Sequence, residues 1–526
     1  MKSNNLVLNG KNLDINGVID FISSSRDTKI KIEPKSLKAV KQNHEFLKHA
    51  LKENNKVIYG INTGFGPMAN YILPKDQILD LQKNLILSHA VGMGEKVRDE
   101  FVLAAMVVRL NTLAKGYSGV SPELLERLKT FINFKIIPVV PEHGAVGTSG
   151  DLVQLAHIAL ALLGLGSASH KGKIQKVSAL RKKFKLKPYE LKAKEGLSLI
   201  NGTSFMTGAA GIVCYKSRAL LSLAARNACL SLEIVKAYKD SFSEKLHELR
   251  PHPGQVEIGR SMRKILANSP RVRSRMVLAS HANQSKEVVK INESVQEIYS
   301  LRCSAQILGP IYETLAKAWQ TAETEMNSAT DNPLVDRENN KFLHGGNFHG
   351  DYIAVAMDQL KMSLVKMTML SERRLNFFLN EKINRTFPPF LNLRTPGLTL
   401  GLQAMQFVAT STTANSQTLA FPMNLHSIST NGDNQDVVSM GTDAALLADK
   451  VAENAYIVLA IESLALCQAV DYLKIKGELS KESLKLYNFV RSQVKAIVED
   501  REAQPQLQNL LKALSQWEEI NLFEKF

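Results

Sequence analysis

In HGAVGTSGDL, residues 143–152, a serine stands between Thr148 and Gly150. Two chemistries suit that arrangement. The plainer is a helix entry, with Ser149 or Asp151 capping the helix that begins DLVQLAHIAL. The other uses the backbone itself as a reagent. If a strained turn presses the Gly150 amide nitrogen onto the carbonyl carbon of Thr148, a five-membered ring closes. Loss of two waters, one carrying away the Ser149 hydroxyl, then leaves an exocyclic methylidene conjugated to an imidazolone. Glycine suits position 150 because no Cβ obstructs its nitrogen. Serine provides the hydroxyl that leaves. Thr148 contributes only its carbonyl, so its side chain is expected to be a spectator.

Other stretches carry polar groups at useful spacing. YGINTGFG, residues 59–66, matches neither the GxxxxGK[ST] nor the GxGxxG phosphate pattern. Tyr59 on a glycine-rich loop suits a general base carried on a lid. In QEIYSLRC, residues 296–303, Tyr299 and Arg302 at i, i+3 share a helix face, with Gln296 on the same side. There Arg302 serves either a structural ion pair or a bidentate clamp for a carboxylate. HGGNFHG, residues 344–350, follows TDNPL at 330–334. Its HGG suggests a hydrolase oxyanion loop, but the GxSxG elbow and alternating strands of that fold are missing. NGDNQDVVSMG, residues 431–441, reads as a capped loop before a long helix.

The elements that must position these groups are mostly helical. The 526 residues are 44% hydrophobic, 22% charged and 6% aromatic, the composition of an ordinary globular protein rather than a disordered one. Helical patterns run over 76–91 and 100–114, with loops at 59–67, 137–150 and 201–202. Residues 166–198 read as a surface hairpin or loop. Residues 442–476 contain neither Gly nor Pro, and Val451, Ala455, Val458 and Ala465 hold one helix face over roughly 50 Å. A mainly α fold follows: a long central helical bundle over 203–526 and a smaller loop-rich N-terminal region over 1–202.

The net charge of +16 invites a nucleic-acid partner. The basic residues are scattered, however, and the densest run, Arg181 to Lys187, lacks a nucleic-acid motif and reads as solvated surface. Cys214, Cys229, Cys303 and Cys467 are far apart, without CxxC or zinc spacing, and read as reduced thiols. MKSNNLVLNG lacks the apolar run of a signal peptide, and no stretch of about 20 apolar residues is evident. The expectation is a cytoplasmic protein with no membrane span and no metal.

In chain order, YGINTGFG, GTSGDL, NGTS (201–204), YSLR, DNPL, GGNFHG and NGDNQDVVSMG resemble the aromatic amino acid ammonia-lyases. That family includes histidine, phenylalanine and tyrosine ammonia-lyases and related aminomutases. The resemblance covers about residues 55–475. It implies long central helices in a homotetramer whose active sites draw residues from several subunits. It also implies a methylidene-imidazolone (MIO) electrophile, usually built from Ala-Ser-Gly and here from Thr148-Ser149-Gly150, with no diffusible cofactor. Tyr59 matches the base that removes the substrate β-proton. Arg302 and Asn332 would hold the α-carboxylate. Asn201 and Tyr299 would sit beside the ring and the substrate amine, and Phe348 near the electrophile. Gln435 would support the polar network around Tyr59, and Gln296 matches a further pocket position.

Substrate choice in the family turns on the pair matching Ser88-His89. Phenylalanine-selective members carry an apolar pair there, whereas a histidine occurs in histidine and tyrosine lyases. Histidine lyases place a glutamate at Asn415, which offers no charge. NQDVVSMG resembles the tyrosine-using bacterial members. The resemblance therefore implies tyrosine to trans-4-coumarate, with phenylalanine to cinnamate as a secondary reaction. The alternatives are a histidine ammonia-lyase, a tyrosine 2,3-aminomutase, and an inactive relative in which Thr148 blocks ring formation.

Overall fold

The computed structural model describes residues 5–24, 28–53, 56–281, 288, 290–291 and 293–523. They are mainly α-helical, with long helices at Ser204–Ile234, Ser304–Met326, Asp351–Leu379 and Gly441–Leu473. The chain divides into two compact units that interleave in sequence rather than dividing once at 202/203. The first comprises 1–215, 318–358 and 422–447; the second comprises 216–317, 359–421 and 448–526. Most of the boundaries fall inside a long helix, which contributes residues to both units.

Every strand among the described residues belongs to the first unit, in short two- and three-stranded sheets. Its core contains the Asp99–Ala114 helix, which is buried from Phe101 to Ala114. Beside it the Ile78–His89, Leu152–Leu162 and Glu195–Ile200 helices pack on one another. Leu152–Leu162 starts after Gly150 at φ +71° and stops at Gly164 at φ +94°. The Leu165 and Gly164 amides close back onto Leu160 and Ala161, the hydrogen-bond pair that satisfies the last carbonyls of a helix.

Residues 166–198 contain the expected hairpin, Ser167–His170 with Lys173–Lys176, but not a surface excursion. Ser167–His170 is the middle strand of a sheet that also pairs with Ile137–Pro138, so Ala168 and Ser169 are buried. The basic run closes the Val177–Lys183 helix, where cations suit the carbonyl end.

In the second unit, Arg374 and Glu462 form a fully buried ion pair, and Ser371 and Asn227 also bond Glu462. The Gly441–Leu473 helix ends before the expected residue 476 because Lys474 adopts φ +58° and the Ile475 amide bonds back to Val470. This helix corrects one expectation. It contains a window of mean hydropathy 1.5, long and apolar enough by composition to cross a membrane. That window is 78% buried within the protein, as in a core helix.

Candidate active site

Three helix ends meet at one cavity in the first unit. The C-terminus of Ile78–His89 brings Ser88 and His89, the entry to Leu152–Leu162 brings Thr148 and Ser149, and the end of Glu195–Ile200 brings Asn201. The cavity, about 530 Å³, is lined by these residues together with Tyr59, Asn332, Phe348 and Gln435.

The segment carrying Ser149 is pinned on both sides. The Val146 carbonyl accepts from the Met440 amide, and the Gly147 carbonyl from the Gly350 amide and the Ser439 hydroxyl. The Ser149 carbonyl accepts from Asn201 Nδ2 at 3.0 Å and from the Gly202 amide at 3.2 Å. The Asp151 amide then donates to the Gly202 carbonyl at 2.9 Å. The two backbones approach so closely that a Cβ on Gly150 would lie 2.0 Å from the Gly202 oxygen. Position 150 therefore demands glycine both for its φ and for this contact.

Asp151 does not cap its own helix through its side chain. Its carboxylate instead accepts from the Phe205 and Met206 amides at the start of Ser204–Ile234, and from the Thr442 hydroxyl. Complete burial pushes its pKa up to about 6, against these hydrogen bonds and nearby Arg109. Arg109, drawn down to about 10 by its own burial, donates to the carbonyls of Ser198 and Asn201. Sequence reasoning missed Arg109. Its signal was the lone charge in the apolar run FVLAAMVVRLNTLA.

Two expectations are refined here. Thr148, expected only to lend its carbonyl, also has a side-chain hydrogen-bond partner: it is 4% exposed, and its hydroxyl donates to Gln435 Oε1 at 2.5 Å. Gln435 does not support Tyr59; its Nε2 donates to Ser149 Oγ at 3.0 Å. The Tyr59 hydroxyl oxygen accepts from the Gly66 amide at 3.0 Å, and its ring meets Phe65 edge-on. Its loop is tied down, with the Gly64 amide on Tyr71, the Leu73 amide on Asn62, and Gln82 Nε2 on the Gly60 carbonyl.

His89 Nδ1 lies 2.9 Å from the Leu85 carbonyl oxygen and 3.0 Å from Ser88 Oγ. A carbonyl only accepts, so in the neutral ring the proton sits on Nδ1 and Nε2 presents a lone pair. The Asn332 amide donates to Asn201 Oδ1, and Asn332 Oδ1 accepts from the Gly345 amide.

Gln296, Tyr299, Arg302 and Asn415 do not line this cavity; they belong to the second unit. Tyr299 is 69% exposed, with the Arg302 guanidinium 4.6 Å from its ring centre. Arg302 Nε is buried without a hydrogen-bond partner among the described residues. Gln296 precedes the short Tyr299–Arg302 helix rather than sharing its face, and all three border a separate cavity with Arg373 and Asn376. Asn415 is exposed on Gln403–Thr418, its Oδ1 accepting from Asn454. The cysteines are free, three of them buried, and burial raises the thiol of Cys467 to about 12.

A family model described as aromatic amino acid lyase matches residues 13–492. A tyrosine 2,3-aminomutase from Chondromyces crocatus is 39% identical, over 91% of this chain and 92% of that protein. A histidine ammonia-lyase from Treponema denticola is 35% identical over 100% and 99% of the two chains. The crystal structure of a tyrosine aminomutase from Streptomyces globisporus superposes with a TM-score of 0.93 at 34% identity, covering 98% of this chain and 97% of that one.

Proposed function

This chain belongs to the aromatic amino acid lyase family of enzymes, and from that premise we propose that it eliminates ammonia from L-tyrosine to give trans-4-coumarate, with L-phenylalanine as a secondary substrate. The observation that carries the choice of tyrosine is His89. With its Nδ1 proton committed to Leu85, Nε2 is left to accept from a phenol hydroxyl in the cavity that also holds Ser149 and Tyr59.

The residues at Thr148-Ser149-Gly150 fit the methylidene-imidazolone that the family implies. Position 150 tolerates no Cβ, and the Ser149 carbonyl faces two N–H donors, as an oxyanion hole does. When formed, that group supplies an electrophile for the substrate amine. Tyr59, as its phenolate, takes the β-proton and becomes a neutral phenol, and the Gly66 N–H stabilises the phenolate charge before that transfer. Asn332 Nδ2 makes no hydrogen bond among the described residues, which leaves it for the substrate carboxylate. We assign the second half of that carboxylate clamp to Arg302, together with Tyr299 and Gln296, from a neighbouring copy in a homotetramer. The exposure of Tyr299 and the unpartnered Arg302 Nε support this assignment.

A tyrosine 2,3-aminomutase is the second reading. The tied-down Tyr59 loop favours it, because a closed loop retains the unsaturated acid for re-addition of the amine. Incubation with L-tyrosine, L-phenylalanine and L-histidine separately, with products identified by mass and near-ultraviolet absorbance, decides among these. 4-Coumarate supports the proposal, β-tyrosine moves the protein to the mutases, and urocanate as the main product overturns tyrosine.

A further inference from the structure

We propose that Thr148 is a positioning residue: its hydroxyl sets which way the Gln435 amide faces, so that the NH2 group, and not the carbonyl, meets the Ser149 hydroxyl that leaves during ring formation. The proposal rests on the electrophile assignment above, but not on the identity of the substrate.

A glutamine amide has nearly the same shape in either of its two orientations, so its partners decide between them. Here both partners are hydroxyls, and each can donate or accept. Burial breaks the tie. Gln435 is the only hydrogen-bond partner of the Thr148 hydroxyl among the described residues, and Thr148 is 4% exposed. Its proton must therefore go to Gln435 Oε1, or remain buried and unsatisfied. Both residues border the cavity, but Ser149 is only half-buried and can give its own proton to solvent while accepting from Gln435 Nε2. The separations agree: 2.5 Å for Thr148 to Gln435 falls in the O–H···O range, and 3.0 Å for Gln435 to Ser149 suits N–H···O. The Gln435 backbone is itself held by a two-way bridge with Thr430.

The chemistry served is the dehydration of Ser149. Its Cα–H and Cβ–Oγ bonds break and a Cα=Cβ bond forms. The Cα proton passes to solvent, and the hydroxyl takes up a proton from solvent and departs as water, with no change in oxidation state. The other water carries the Thr148 carbonyl oxygen. An N–H on Ser149 Oγ stabilises the charge that builds there as the C–O bond opens. An alanine at 148 gives the amide nothing to hold it.

The test follows maturation rather than turnover. The full chain is produced by cell-free synthesis, and intact mass is followed over time for the loss of two waters, with circular dichroism confirming folding. Thr148→Val and Thr148→Ala are each expected to mature roughly 3- to 10-fold more slowly, and Thr148→Ser to recover the original rate. If one of the first two fails to fold, the other carries the measurement. In a Gln435→Leu background, Thr148→Val should add no further slowing. An unchanged rate in the folded Thr148 variants, or full additivity with Gln435→Leu, overturns the proposal. An original chain that never loses water overturns the electrophile assignment and this inference together. A chain that matures normally but makes no coumarate overturns the substrate alone.

Discussion

In the proposed reading, one lone pair on His89 selects the substrate by meeting its phenol hydroxyl. Removing it with His89→Leu should lower kcat/KM for tyrosine about 10- to 100-fold while leaving phenylalanine within about threefold. Steady-state kinetics on both substrates checks this, and an equal loss on both would sink the pairing with the phenol. Tyr59→Phe should reduce product formation by roughly 100-fold or more. The intact mass should still show the loss of two waters, which separates the base from ring formation. At this scale the motifs made Tyr59, Ser149, Gly150 and Asn201 legible, since each sits in a short signature whose chemistry is local. Thr148 was not. Its partner Gln435 is 287 residues away, and no spacing in the chain announces a hydrogen bond between them.

At the scale of elements, the site depends on helix ends that hold one another. Asp151 opens one helix and caps another, and its burial has a cost that varies with pH. Its carboxyl titrates near 6 in the folded protein against an ordinary 3.8, so the folded state holds the proton more tightly. That contribution is complete below about pH 4 and is lost as pH rises through 6. Asp151→Asn keeps one oxygen for the Phe205 and Met206 amides and offers an N–H to Thr442. Relative to that variant, the original chain should therefore lose roughly 2 kcal/mol of stability between pH 4 and 7. Unfolding midpoints measured across that range test it, and a difference independent of pH would count against the assigned burial. Helices at 76–91 and 100–114 were legible as runs without Gly or Pro between glycine- and proline-bearing loops, and they appear as Ile78–His89 and Asp99–Ala114, the latter apolar all round. The end of the long helix was not, because a lysine in the left-handed region carries no sequence mark of a stop. The burial of Ser167–His170 was missed for a related reason: its pairing with Ile137–Pro138 is not local.

At the scale of the whole molecule, the order of seven motifs along the chain identified the family and with it the helical fold. The interleaving of two units was invisible, because it is made of contacts between distant segments. A buried ion pair, Lys194 with Asp331 at 2.6 Å, lies next in sequence to Asn332. Lys194→Met leaves a carboxylate buried without its cation and should destabilise the protein by about 3–5 kcal/mol, read as a lowered unfolding midpoint. The proposed sharing of sites between copies has its own signature. Tyr59→Phe and Arg302→Ala chains, each inactive alone, should regain activity when co-expressed, at least about tenfold above either variant. Co-expression that gives no recovery would place Arg302 outside the site.

The contact between Gly150 and Gly202 also bears on how such a protein can diversify. Most crowded positions yield to a compensating change next door, because what they touch is a side chain. At position 150 a Cβ would meet the Gly202 backbone, 2.0 Å from its oxygen, so no neighbouring side chain can be trimmed in exchange. A directed-evolution library should therefore return Gly150 unchanged in every active clone, while accepted changes collect around His89, Asn84 and Asn434 on the cavity wall. New substrates would be reached by redrawing that wall around a centre that does not vary.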